Sequence, residues 1–183
     1  MSAPIDADAV LAFWLSDHAR AHWFGSTPEF DAELRERFLS DYERVRAGAA
    51  DVMAETPEGC LVLILFLDQF PRNMFRGTAR AFEGDGKALA RAQFALERGY
   101  PEGMDADRQM FFYLPFMHSE DPGDQQRCIA LFSQRPEHGN SLDFARQHAE
   151  IIDRFGRFPH RNQALGRETS PEEAAFLAGH SGF

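Results

Sequence analysis

Thr56-Pro57-Glu58-Gly59-Cys60-Leu61-Val62-Leu63-Ile64-Leu65-Phe66-Leu67 is the stretch that decides the fold class. Leu61 to Leu67 is apolar at every position, and a short uninterrupted apolar run suits a buried strand or a buried helix equally. What precedes it favours the helix. The Thr56 hydroxyl can accept from the free N–H groups of a first helical turn. Pro57, at the first helical position, gives up a donor that would have no intrahelical partner, and Glu58 suits the positive end of the helix dipole. The Leu-rich run therefore reads as a central helix buried on all sides.

The same start recurs at Thr27-Pro28-Glu29, Asp121-Pro122 and Ser170-Pro171-Glu172-Glu173, where Ser170 and Glu173 have the spacing of a capping box. Apolar periodicity agrees. Phe30, Leu34, Phe38, Tyr42 and Val45 form one stripe, and Phe144, His148, Ile151, Ile152 and Phe155 form another. Leu89, Ala92 and Leu96 form a third, with Asp85 placed to cap it, and Val10, Leu11, Phe13 and Trp14 read as a short first helix. Gly48, Gly99 and Gly156 stand where helices stop. Period-2 alternation and Asn-Gly or Asp-Gly hairpin signals between strand-like runs are missing. The expectation is an all-α chain, one domain over residues 1–183, with about seven to nine helices packed as antiparallel hairpins. Gly179 to Phe183 are expected to fray.

The 18 Phe in 183 residues imply an aromatic-rich interior. A formal net charge of -10 argues against nucleic-acid binding, which needs a basic face, and against anionic membrane surfaces. Cys60 and Cys128 both sit in apolar runs without a C-x-x-C motif and read as reduced, buried thiols. Met1-Ser-Ala-Pro-Ile-Asp lacks the basic-then-apolar pattern of a signal peptide, and the longest apolar run falls far short of the ~20 residues that span a bilayer. The expected location is the cytoplasm.

Chemistry concentrates in three short motifs. Asp68-Gln69-Phe70-Pro71-Arg72-Asn73 with Arg76 and Gly156-Arg157-Phe158-Pro159-His160-Arg161-Asn162 with Arg167 are near copies of each other. Each joins an aromatic residue and a proline to an Arg-Asn pair, and each follows a long apolar helix, where Arg suits the C-terminal carbonyls. Guanidinium forks beside amides suit a carboxylate or phosphate. Arg72, Asn73, Arg76, Arg157, Arg161 and Asn162 are the ligand-binding candidates. The structural alternative is that these arginines pair internally with Asp68, Glu120 or Asp121 and only fix helix packing.

The third motif is Tyr113-Leu-Pro-Phe-Met-His118-Ser119-Glu120-Asp121. His118 and Glu120, with His160, are candidates for moving a proton. The plainer alternative makes Ser119 or Asp121 a helix cap and packs His118 against aromatics. His148 lies on an apolar helix face, where a histidine is more often a hydrogen-bonded core residue. His118, His148 and His160 with Glu120 could also converge on a metal, although no pair has diagnostic spacing. His18 and His22, four apart, read as a solvated helix face. Phe13, Trp14, Trp23, Phe24, Phe111, Phe112 and Tyr113 read as core before pocket. No phosphate loop, nucleophile elbow, zinc-protease motif or dinucleotide fingerprint is present, so no cofactor is implied.

Phe13-Trp14, Trp23-Phe24, Phe30-Asp31, the run Leu63 to Asn73, Arg76-Gly77-Thr78, Leu114 to Asp121, Arg154 to Asn162 and Leu165-Gly166-Arg167 together resemble the uncharacterised bacterial family called domain of unknown function 924. Leu15 departs from it, standing where the family often has a third aromatic. The resemblance implies a helical fold similar to tetratricopeptide-like hairpin proteins, although no 34-residue repeat is visible. The family brings no established activity and hence no catalytic residues. The reading is a cytosolic helical protein binding a small anion between the two Phe-Pro…Arg-Asn motifs and the His-Ser-Glu-Asp loop. A helical module for a peptide carboxylate and purely structural motifs are the alternatives. Whether it is an enzyme, and its oligomeric state, stay open.

Overall fold

The computed structural model describes residues 4–179. In chain order its helices are α1 (Ala7–Trp14), α2 (Asp17–Arg20), α3 (Pro28–Arg46), α4 (Pro57–Ile64), α5 (Phe70–Met74), α6 (Asp85–Glu97), α7 (Ala106–Met117), α8 (Pro122–Phe132), α9 (Gly139–Phe155), α10 (Asn162–Leu165) and α11 (Pro171–Gly179). Among the described residues there is no strand. The helices outnumber the expectation because α2, α5 and α10 are only four or five residues long. Apart from Gly179, the expected fraying of the C-terminus falls outside the described residues.

The four Ser/Thr/Asp-Pro starts form as read. Thr27, Thr56 and Asp121 side chains accept backbone N–H groups at the heads of α3, α4 and α8. At α11 the box is reciprocal: Ser170 N donates to Glu173 at 2.7 Å and Glu173 N to the Ser170 hydroxyl at 3.2 Å. Gly156 ends α9 with φ of 67°, a left-handed conformation that costs glycine little. Asp85, expected to cap α6, does not: Gly84 holds that position and Asp85 is the first helical residue, its carboxylate engaged elsewhere.

The deciding run is helical and is the centre of the molecule. Every residue from Cys60 to Pro71 is buried. α1, α3, α6 and α7 pack around this run, and consecutive helices from α6 to α9 pack on one another. Each Leu or Phe removed from water here contributes roughly 1.5–3 kcal/mol of transfer free energy. Trp14, Phe66, Phe70, Phe111 and Phe112 form the aromatic centre. Ile151, Ile152 and Phe158 form a satellite cluster under α11 with Phe176. Burial pushes the Cys60 thiol up to about 11, and that of Cys128 further, so neither is a thiolate near neutrality.

The helix does not stop at the first Phe-Pro-Arg-Asn motif, as expected, but passes through it. Between α4 and α5 the backbone widens into a π-helical turn at Leu65–Gln69, and Phe70 N donates to Leu65 O. The wider turn accommodates Pro71, which has no N–H to give. Gly84 packs against this turn. A Cβ at position 84 would lie 2.3 Å from the Leu67 carbonyl oxygen, a backbone atom that cannot swing aside. Gly84→Ala is therefore expected to destabilise by about 1–3 kcal/mol in urea unfolding. Gly86→Ala, with nothing within 4 Å of the new methyl, is expected to be neutral or mildly stabilising.

Candidate functional site

The π turn brings Gln69 to one wall of a cavity of about 500 Å³, α5 adds Arg72 and Asn73, and Arg76 follows just beyond its end. The C-terminus of α7 brings His118, the turn after α9 brings His160 and Arg161, and α9 itself brings His148. Trp23, Phe24, Phe82, Met110 and Leu114 close the apolar side. Six of the residues singled out from sequence, Arg72, Asn73, Arg76, His118, His160 and Arg161, thus line one cavity.

Three others do not. Glu120 receives a bidentate pair from Arg167 at 2.8 and 3.0 Å and the Phe158 N–H at 2.8 Å. Arg157 forks onto Glu173 at 2.6 and 2.9 Å. Asn162 donates to Thr169 and Glu173 and accepts from Arg167 at 3.0 Å. These groups tie the α9–α11 segment together and are spent on each other, Arg157 on Glu173 rather than on Asp68, Glu120 or Asp121. Arg157 and its hydrogen bond take the Glu173 carboxyl down to about 2. Ser119 and Asp121 are also local: Ser119 donates to Asp124 at 2.6 Å, and Asp121 caps α8. Of the His-Ser-Glu-Asp loop only His118 faces the cavity.

Behind the cavity lining, the charges form a connected arrangement. Asp68 has no exposed surface. It accepts from Gln69 at 2.6 Å, stands 3.2 Å from Arg72, and pairs with His118 Nδ1 at 2.7 Å. Burial alone would raise the Asp68 carboxyl, but Arg72 and His118 hold it well below the usual carboxylate range. Burial, then the Arg72 charge, pushes His118 below its ordinary value against the pull of Asp68. Burial thus holds the His118 ring toward its neutral form beside the Asp68 carboxylate. The carboxylate fixes the proton on Nδ1, which leaves Nε2 as an acceptor. Burial depresses His148 to about 3 and His160 to about 4, helped by His118 for the first and by Arg161 and Arg72 for the second.

Asp85, the displaced cap, is shared by two guanidiniums. Arg72 grips it at 2.9 and 3.1 Å, and Arg161 Nη1 reaches it at 3.1 Å. Arg161 Nη2 donates to the His118 carbonyl at 3.0 Å, so this arginine caps α7 rather than its own helix. Its guanidinium lies 4.8 Å over the Phe82 ring and 4.6 Å over Phe158. Arg161 is only 6% exposed, and its Nε–H, buried, has no acceptor among the described residues. An unmet buried donor costs about 1–3 kcal/mol. Burial and the nearby Arg72 bring Arg161 down to about 10, which leaves it cationic at neutral pH. At the mouth, Arg76 forks onto Asp31 at 2.9 and 3.1 Å, and Asn73 holds the same carboxylate at 2.8 Å.

The metal possibility does not materialise as drawn, since Glu120 is turned away to Arg167. Among the described residues no three His, Cys, Asp or Glu side chains are grouped to hold a metal ion. His18 and His22 do not share a helix, because α2 ends at Arg20. His18 pairs with Glu33 at 2.7 Å, and His22 stacks on Phe30 at 4.6 Å. Sequence reading missed Asn140 and Ser141 on the cavity wall, which stand in no motif, and took Trp23 and Phe24 for core.

Across residues 10–181 the chain matches the family described as "Bacterial protein of unknown function (DUF924)", and it belongs to that family. It is similar to a solved structure from Agrobacterium tumefaciens, the protein of unknown function ATU0120. The two are 40% identical, with a TM-score of 0.89 over 95% of this chain and 97% of that one. No curated protein matches the chain.

Proposed function

We propose that this member of the family binds a small carboxylate-bearing molecule in the cavity between α5, α7 and α9. The observation that carries the reading is Arg161: a guanidinium among the residues that line the cavity, whose one carboxylate partner, Asp85, is shared with Arg72. A carboxylate is the group that satisfies such a donor. Three arginines on the wall (Arg72, Arg76, Arg161) face three carboxylates (Asp31, Asp68, Asp85), and the cavity histidines are held neutral by burial. These charges already sum to zero, so a single added negative charge disturbs the balance less than the two of a phosphate monoester. Both cysteines are free and buried, and no helix among the described residues is long and apolar enough to cross a membrane. The free thiols support a cytoplasmic location.

A thermal-shift screen with small carboxylates tests the reading. Ligand at a hundred times its dissociation constant is expected to stabilise the protein by about 2.7 kcal/mol. Arg161→Lys keeps the charge but loses the planar fork, and is expected to weaken binding at least tenfold with an unchanged helical circular-dichroism spectrum. Equal affinity in a folded Arg161→Lys protein overturns the reading. The second reading, a peptide C-terminus as ligand, draws on Phe24, 73% exposed beside the cavity, which could cover an apolar last residue. It requires that free-acid peptides bind and their amides do not.

A further inference from the structure

Three features of the cavity specify more than a carboxylate. The first is the Arg161 guanidinium, which lines the cavity and has only a shared carboxylate to balance it. The second is the neighbouring acceptor. His118 Nδ1 is taken by buried Asp68, and His118 Nε2 has no hydrogen-bond partner among the described residues. Arg161 Nη2 donates to the backbone carbonyl of His118, so the guanidinium and the imidazole belong to residues that adjoin on the cavity wall. The third is the apolar face of Trp23, Phe24, Met110 and Leu114, which only an apolar group would cover.

From these three features, we infer that the ligand is a 2-hydroxy acid with an apolar substituent. Its carboxylate accepts from Arg161, its hydroxyl donates to His118 Nε2, and its substituent lies against the Trp23–Leu114 face. The inference rests on the carboxylate reading and deepens it. A carboxylate alone offers only acceptors and would leave His118 Nε2 unmet. A hydroxyl on the next carbon supplies the missing donor at the short spacing that two adjoining residues require. Discrimination of this kind is strong, because the analogue lacking the hydroxyl leaves a desolvated ring nitrogen unpaired. Asp68 is a positioning residue here: it sets which ring nitrogen carries the proton.

Matched pairs test it by calorimetry or thermal shift. Mandelate is expected to bind about tenfold or more tightly than phenylacetate, which differs only by the hydroxyl, and more tightly than lactate, which lacks the ring. Asp68→Asn reverses the ring's polarity, because its amide donates to Nδ1 and moves the proton to Nε2. In that variant the advantage of mandelate is expected to shrink, and benzoylformate, with an accepting keto group in place of the hydroxyl, to gain relative to it. If Asp68→Asn fails to fold, the ring nitrogen shifts of histidine-labelled wild-type protein carry the same test, and Nδ1 of His118 must be the protonated nitrogen. Equal binding of mandelate and phenylacetate overturns the hydroxyl contact and leaves the carboxylate reading standing. Silence of all four acids and of the wider carboxylate screen overturns both.

Discussion

Asp68→Ala is expected to destabilise the protein by roughly 3–5 kcal/mol, the cost of breaking a buried charge pair by removing one partner. Asp68 is fully buried, at the inner end of the π turn, and three side chains depend on it. Gln69 donates to it, Arg72 stands beside it, and His118 is oriented by it. Removing the carboxylate leaves a buried imidazole N–H without an acceptor and shifts all of the Arg72 charge onto Asp85. Because a small domain is stable by only about 5–15 kcal/mol, the loss should be plain in the urea midpoint. Asp143→Ala, which removes the exposed partner of Arg146, is the control and is expected to change stability by under ~0.5 kcal/mol. If the two variants unfold at the same urea concentration, the account of Asp68 as the hub of the cavity wall is wrong.

The second large effect is acid sensitivity, with a window set by histidines. His148 and His160 are depressed in the folded state to about 3 and about 4. A group protonated more readily in the unfolded chain than in the fold favours unfolding as protons are added. For these two the full stability is present above the ordinary histidine value of about 6.5 and is lost as pH falls from there toward the folded values. Each contributes about 1.4 kcal/mol per pH unit, so the loss between pH 6.5 and 4.5 is on the order of 3–5 kcal/mol. His118 acts in the same direction. Asp68, held low, adds its own loss only below about pH 4, where the unfolded carboxylate protonates. Urea midpoints from pH 7.5 to 4.5 should show a slope of roughly two protons taken up on unfolding. His160→Gln should reduce that slope by about one proton. An unchanged slope in the variant would show that His160 already titrates normally in the fold.

The helix starts were legible because their chemistry is local: a side-chain oxygen, a proline and an acidic first turn lie within four residues. The same locality misled at Asp85. Its position before an apolar stripe reads as a cap, but two guanidiniums, one of them on Arg161 far along the chain, outcompete a backbone amide for its carboxylate. The first Phe-Pro-Arg-Asn motif read as lying at the end of the preceding helix, and nothing in the local residues announces that a widened turn will carry the helix through Pro71. The repeat of Arg-Asn concealed a division of labour. Arg72 and Arg161 face the cavity, whereas Arg157 and Asn162 are claimed by Glu173, which sequence reading placed only as half of a capping box. Residues such as Asn140 and Ser141 acquire a role only from where α9 docks, so composition carries no trace of it.

The π turn has a consequence for how this chain can vary. A helix advances about 100° per residue, so one residue gained or lost between Thr56 and Arg72 would swing everything after it by more than a quarter of a revolution. Leu65–Gln69 holds one such extra increment. It acts as a phase shift between the head of the helix, packed in the core, and its tail, which delivers Gln69, Arg72 and Asn73 to the cavity. Substitution within the apolar run alters packing, whereas a change in its length would rotate the binding wall away from His118 and Arg161. The spacing of the run is therefore as much a part of the site as the arginines at its end.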